Sequence, residues 1–253
     1  MRMKIDKMDL LLKSQELRRM FGENENSTID IFSLVASIES ITLVRYPMSE
    51  NFSGLCVKEK GVSLIAVNSK MTIGRQRFSL AHELFHLYYD SSMTAICYAE
   101  IGSGSEIERS ADIFASYFLI PPLSLKKDIA ELESRRATGR INVDDVVYLE
   151  QKYGVSRQAI LVRLLDEKCI SKYYADNMKS DVISSARYLG YSSELYLPSP
   201  EKDRYGTFGC MIKQANAALS KSLISVGKYE EILLQAFRPD IVYGDDGGGE
   251  VFD

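Results

Sequence analysis

Phe78-Ser79-Leu80-Ala81-His82-Glu83-Leu84-Phe85-His86-Leu87-Tyr88 is the stretch that decides the fold, and it holds both histidines of the 253-residue chain. They lie four positions apart, so on a helix both imidazoles share one face, one turn apart, within reach of one ion. Glu83 follows His82 and faces the same point without being a ligand. Two nitrogen ligands, an open coordination position and a carboxylate to take a water's proton are what a zinc hydrolase needs. Phe78, Leu80, Ala81, Leu84, Phe85, Leu87 and Tyr88 leave little room for a solvated face, and a helix apolar nearly all round is buried. Polar groups on such a helix need partners, and a bound metal supplies them. The competing reading is an amphipathic helix with two incidental histidines; the spacing, the intervening Glu and the apolar flanks weigh against it.

With no histidine left, the third metal ligand must be Asp, Glu or Cys. The segment Ser105 to Pro122 reads as a second helix. Ser103 or Ser105 can cap it, acids occupy its first turn, and Pro121-Pro122 ends it. Glu108 and Asp112 lie four apart on one face, beside a packing stripe of Ala111, Phe114, Ala115, Phe118 and Leu119. Glu108 is the expected third ligand. Asp112 is placed to accept a hydrogen bond from the far nitrogen of a ligand histidine and fix its tautomer. Glu106 is the rival ligand, but no carboxylate lies four residues after it. Cys56, Cys97, Cys169 and Cys210 are dispersed without a C-x-x-C pair. They read as reduced, mostly buried thiols of a cytoplasmic protein, and their spacing supports none of them as a ligand.

Arg77-Phe-Ser-Leu-Ala-His-Glu-Leu-Phe-His-Leu, then Glu108-x-x-Ala-Asp112-x-Phe-Ala, then Phe118-Leu-Ile-Pro121, resembles the ImmA/IrrE family of bacterial and phage metallopeptidases. That family shows R-F-x-x-A-H-E-[L/I]-x-H followed by E-x-E-A-N-x-F-A-x-x-L-L-M-P. Carried over residue by residue, the resemblance implies metal ligation by His82, His86 and Glu108, and Glu83 as catalytic base. Asp112 stands where the family usually has Asn, which suits a gluzincin-like E-x-x-x-D, and Ser110 replaces the second Glu. The resemblance covers about residues 30–125. It implies a zincin-like peptidase domain, one zinc ion per chain, and a narrow substrate. That substrate is a helix-turn-helix transcriptional repressor of a phage, mobile element or stress regulon, often encoded beside the peptidase.

The expected fold class is α+β. Helices over about 5–21 and 28–39 precede strands at Ile41–Tyr46, Gly54–Lys58 and Val62–Val67, with a hairpin turn at Glu59-Lys60-Gly61. The motif helix spans about 72–89, a short strand 93–99, and the Glu108 helix follows, so a small sheet packs on the zinc-binding helices. The rest is mostly helical, with helices over 142–152, 156–165, 171–189, 208–221 and 226–237 and a loose loop over 197–206. The division expected is 1–125 as the metallopeptidase domain with its N-terminal helices, 126–170 as a helical extension, 171–239 as a C-terminal helical region and 240–253 as a disordered tail. That tail carries four Asp and one Glu with no Lys or Arg, enough to account for the formal charge of −4. The remainder is near neutral and offers no general basic surface for nucleic acid. No apolar run is long enough for a membrane span.

The join Tyr153-Gly-Val-Ser156 has the look of a helix-turn-helix. Arg157 and Arg163 would have to read DNA, but Asp166 and Glu167 follow, so a packing unit is favoured over direct DNA binding. For the second donor to the oxyanion of a cleaved peptide, Tyr88, Tyr89, Tyr98, Tyr117 and Arg109 are the candidates near the motifs, and each also has a packing role. The expected activity is a zinc-dependent endopeptidase acting on a repressor. The alternatives are a non-catalytic metal-binding module of a toxin–antitoxin-like pair and a DNA-binding regulator.

Overall fold

A computed structural model describes residues 5–59, 61–98, 105–135 and 140–244, with the Tyr98 side chain outside that set. Asp6 starts α1 (Lys7–Met20) by accepting from the amides of Met8 and Asp9. The guanidinium of Arg18, fully buried, donates to the carbonyls of Asn24, Ser27 and Phe118, which pins α1 to the end of the later Glu108 helix. Next come α2 (Ile31–Ser37), β1 (Ile41–Tyr46), β2 (Phe52–Glu59) and β3 (Val62–Asn68). Gly61, at φ +83°, takes the left-handed conformation that turns β2 into β3.

The motif helix is α3 (Ile73–Tyr89), capped by Thr72, whose hydroxyl accepts from the Arg75 amide. β4 (Thr94–Tyr98) and α4 (Glu106–Leu119) follow, α4 being capped by Ser105. Ser103 lies outside the described residues. The sheet runs β4-β2-β3-β1-β5, with β1 and β3 parallel and the other pairs antiparallel. α3 packs on β2 and β3 with one side and on α4 with the other. Its residues from Phe78 to His86 are all buried, as the apolar run around the motif requires.

Beyond Pro121 lie α5 (Pro122–Ser134), α6 (Val143–Tyr153) and α7 (Arg157–Asp166). One hydrophobic core reaches from Leu10 in α1 through Phe114 and Leu164 to Met178, so it crosses residue 125 without a break. Two small clusters, Val147-Ala186-Tyr196 and Ile212-Leu233-Ala236, carry the later helices.

Four expectations are corrected here. The helix expected over 171–189 is two, α8 (Lys172–Asn177) and α9 (Val182–Tyr188), because Arg157 draws the Met178 carbonyl aside at 2.8 Å and Asp181 turns left-handed at φ +55°. The helix expected from 208 starts as a strand, β5 (Gly206–Gly209), added to the edge of β1, and only then becomes α10 (Cys210–Ser220). Gly209, at φ +83°, lies so close to β1 that a Cβ there would stand 2.5 Å from the Ile41 carbonyl oxygen. The stretch 197–206 is anchored rather than loose: Ile73 N–H donates to the Leu197 carbonyl at 2.8 Å, and buried Ser199 bonds Gln76. After α11 (Val226–Gln235), the start of the expected tail is a helical turn, α12 (Pro239–Tyr243), with Asp240 clamped by Arg238 at 2.6 Å. Residues 245–253 lie outside the described set.

Candidate metal centre

α3 and α4 cross so that the two histidines face the two carboxylates expected of α4. His82 Nδ1 donates to Asp112 Oδ1 at 2.9 Å, and His86 Nδ1 donates to Asp90 Oδ2 at 3.0 Å. With those protons committed, each neutral ring carries its lone pair on Nε2. The two Nε2 atoms are 3.2 Å apart. Glu108 closes the triangle, Oε2 at 3.2 Å from His82 Nε2 and Oε1 at 3.4 Å from His86 Nε2. Lone pairs and a carboxylate pointed at one spot repel unless a proton or a cation sits among them. The Cys97 thiol on β4 joins the group, and the ligand atoms of His82, His86, Cys97 and Glu108 all lie within 4.8 Å of one another. Nitrogen, nitrogen and carboxylate oxygen, with sulfur beside them, is a donor set that suits a zinc-like divalent ion.

The electrostatics agree with an electron-rich centre. Burial works against a charged His82, yet its hydrogen bonds to Asp112 and Glu108 push it up to about 9. Burial holds His86 below its ordinary value, with Asp90 opposing. The hydrogen bond to His82 keeps Glu108 low. Burial drives Glu83 up to about 7, with the charge of His82 opposing.

Glu83 is fully buried, and among the described residues no N–H or O–H donor reaches either carboxylate oxygen. The Cys97 thiol is turned toward it. Its room comes from a missing side chain: a Cβ on Gly54 of β2 would stand 2.8 Å from Glu83 Oε1 and 2.9 Å from the Ala66 carbonyl oxygen. A buried carboxylate with only a weak thiol donor beside it is expensive, and a water held at the centre would satisfy it.

His82, His86, Glu108 and Asp112 thus come together as the spacing suggested, with Asp112 behind His82. Glu106, the rival ligand, starts α4 and makes no contact with the histidines among the hydrogen bonds and ion pairs of the described residues. The oxyanion candidates are largely committed elsewhere. Tyr88 packs edge-on against Phe21 with centroids 5.6 Å apart, and Tyr89 donates to the Lys13 carbonyl at 2.9 Å. Tyr117 lies under the Arg163 guanidinium, 4.4 Å from the ring centroid. Arg109 lines a cavity of about 240 Å³ with Phe78, Ile113 and Asp112. The Tyr98 side chain is outside the described set. Asp90, Cys97 and Gly54 were not singled out by the sequence. For Asp90 a signal existed: an acid at the C-terminal end of a helix opposes the macrodipole and needs a local reason, and the reason is His86 four residues before it.

A helix carrying H-E-x-x-H, crossed by a helix carrying E-x-x-x-D and covered by a mixed sheet, defines a zincin-like metallopeptidase. Residues 39–165 match the peptidase family model described as the IrrE N-terminal-like domain, and the chain belongs to that family. No curated protein matches the chain. Among the described residues no helix is long and apolar enough to cross a membrane.

Proposed function

We propose that the chain is a zinc-dependent endopeptidase in which His82, His86 and Glu108 hold the ion and Glu83 moves the proton. One observation carries this reading: two tautomer-fixed imidazole rings and a carboxylate converge on one spot, beside a buried Glu83 that no N–H or O–H donor reaches among the described residues. A bound zinc supplies a Lewis acid that polarises the scissile carbonyl and brings the pKa of water at the site toward ~7. Glu83 takes the proton as water attacks, then hands it to the leaving amine. Asp112 and Asp90 hold the rings in the ligating tautomer and raise their basicity. β4 is an edge strand, so an extended peptide can pair with it and bring its carbonyl to the site.

The substrate we infer is a helix-turn-helix repressor encoded nearby, supported by the family resemblance. A cytoplasmic location is part of the reading, supported by four cysteines that form no disulfide. A non-catalytic module accounts poorly for Glu83, since a structural site has no use for a buried acid beside the ion. A DNA-reading role loses its two arginines: Arg157 is buried against Glu150, and Arg163 is buried over Tyr117.

The test is cleavage of the neighbouring repressor by metal-loaded protein beside its Glu83→Gln variant, with metal content measured in both. The variant should keep the ion and lose cleavage. Equal cleavage by both, or no bound metal in either, refutes the assignment.

A further inference from the structure

We propose that Cys97 is a fourth protein ligand of the metal centre and that it holds the resting site closed. This rests on the metal-centre reading above. Cys97 pairs with Gly54 across the β4–β2 ladder, and directly opposed residues point to the same sheet face. That face is the one α3 covers, where the absent Gly54 side chain leaves room for Glu83. The thiol is fully buried and free of any disulfide. A structural thiol in a core is surrounded by apolar groups. This one has its sulfur within 4.8 Å of the ligand atoms of His82, His86 and Glu108. The Glu83 carboxylate, also fully buried and without an N–H or O–H donor, has this thiol turned toward it and abuts the same space. Two observations therefore point to that space, the four-donor cluster and the buried carboxylate toward which the same thiol is turned.

Three protein ligands leave the open position that hydrolysis needs, whereas four make the closed tetrahedron of structural sites. When the sulfur–metal bond forms, the thiol proton is released to solvent, and the position water would use is taken. Opening then needs Cys97 to withdraw. Its strand is at the edge of the sheet, bonded to β2 alone among the described strands, so a shift of β4 breaks one ladder and leaves the rest of the sheet in place. A peptide pairing along the free side of β4 acts on the strand that carries the closing ligand, which couples substrate arrival to release of the site.

Cobalt replaces zinc as the probe, with the full chain throughout. Cobalt-loaded wild type should show a thiolate-to-cobalt charge-transfer band in the near ultraviolet. Cys97→Ser and Cys97→Ala should keep cobalt, lose the band, release metal faster to a chelator and cleave the neighbouring repressor faster than wild type. Cys56→Ser, altered two pairs further along the same ladder, should keep the band. Cobalt bound to wild type without the band overturns the proposal and needs no variant to fold. A band that survives in Cys97→Ser overturns it too, and turnover no faster than wild type in a folded, cobalt-loaded Cys97 variant overturns the closing role. Each of these leaves the metal centre standing. Cobalt that does not bind, or that binds undiminished in His82→Ala, sinks the metal centre itself.

Discussion

Gly54→Ala is a small change with a large expected effect on chemistry. Its new carbon would sit 2.8 Å from Glu83 Oε1 and 2.9 Å from the Ala66 carbonyl oxygen, both closer than real Cβ contacts come. The backbone at Gly54 is not in the left-handed region, so the cost is steric rather than conformational. Ala66 O belongs to the β3 backbone and yields little; the end of the Glu83 side chain is free to yield. Overpacking of this kind costs about 1–3 kcal/mol. At ~2–4 °C per kcal/mol for a chain of this size, the thermal midpoint should fall by roughly 2–12 °C. Catalysis should suffer more, since a misplacement of about 1 Å in a reacting group costs on the order of 10²-fold. The close contacts are Glu83 and Ala66, not the ion-holding residues, so bound metal should stay near one per chain. Calorimetry, metal analysis and repressor cleavage on the same preparation read all three. Wild-type cleavage with a wild-type midpoint would refute the reasoning that Gly54 makes the room for Glu83, and loss of metal would show that the damage is not confined to the proton-moving group.

The remaining expectations concern the support around the site. Asp90→Ala removes the acceptor 3.0 Å from His86 Nδ1, so zinc affinity should drop about 10–100-fold in competition with a chelator; unchanged affinity would mean that Asp90 does not orient the ring. In metal-free protein the His82 proton is held up to about 9 and must leave when metal binds. Apparent metal affinity should therefore climb by up to about tenfold per pH unit until about pH 9, and a plateau already reached at pH 7 in isothermal titrations rejects this. The same raised value makes folded, metal-free protein hold a proton that the unfolded chain loses at 6.5. That stabilisation is complete below pH 6.5 and lost as pH rises through about 9, so the thermal midpoint of chelated protein should fall across that window while that of loaded protein stays flatter. Arg157→Ala leaves Glu150, fully buried, with Tyr196 but without its cation. Urea unfolding should report a loss of about 3–5 kcal/mol, and the double change Arg157→Met with Glu150→Leu should cost less.

What the sequence made legible were features written at helical spacing along one segment. His82 and His86 at four residues, and Glu108 and Asp112 at four residues, each commit to one helix face whatever the rest of the chain does. The hairpin at Gly61 and the stops at Gly154 and Pro121 are local in the same way. The features missed depend on a distant partner. Cys97 reaches the centre because β4 pairs with β2 opposite Gly54, a register that no residue within β4 announces. Gly206-Thr207-Phe208-Gly209 has too few residues to show a period of two, and becomes a strand because β1 offers an open edge. The break between α8 and α9 is made by Arg157 reaching across to the Met178 carbonyl.

Arg77 ties these scales together and changes the meaning of the Tyr153-Gly154-Val155-Ser156 turn. From the first half of α3 its Nε donates to the Gly154 carbonyl at 2.8 Å, a second nitrogen donates to the Ile29 carbonyl, and a third faces Asp30 at 3.6 Å. Gly154 is required twice over, by its φ of +63° and because a Cβ there would stand 2.6 Å from Arg77 Nε. A turn between two helices that is free to present one of them to DNA has no reason to be built around an arginine of the metal-binding helix. Arg157, the first residue of α7, spends its guanidinium on Glu150, the Met178 carbonyl and Ser185, and so locks α6, α7 and α9 together behind that turn. Gly74 packs against the same junction, where an added Cβ would stand 3.0 Å from the Ser156 amide nitrogen. The α6–α7 pair therefore fixes the axial position and rotation of α3 at its N-terminal half, while α4 and Asp90 fix the histidines at its C-terminal half. Two independent clamps on one helix give the two Nε2 atoms a defined meeting point before any ion arrives.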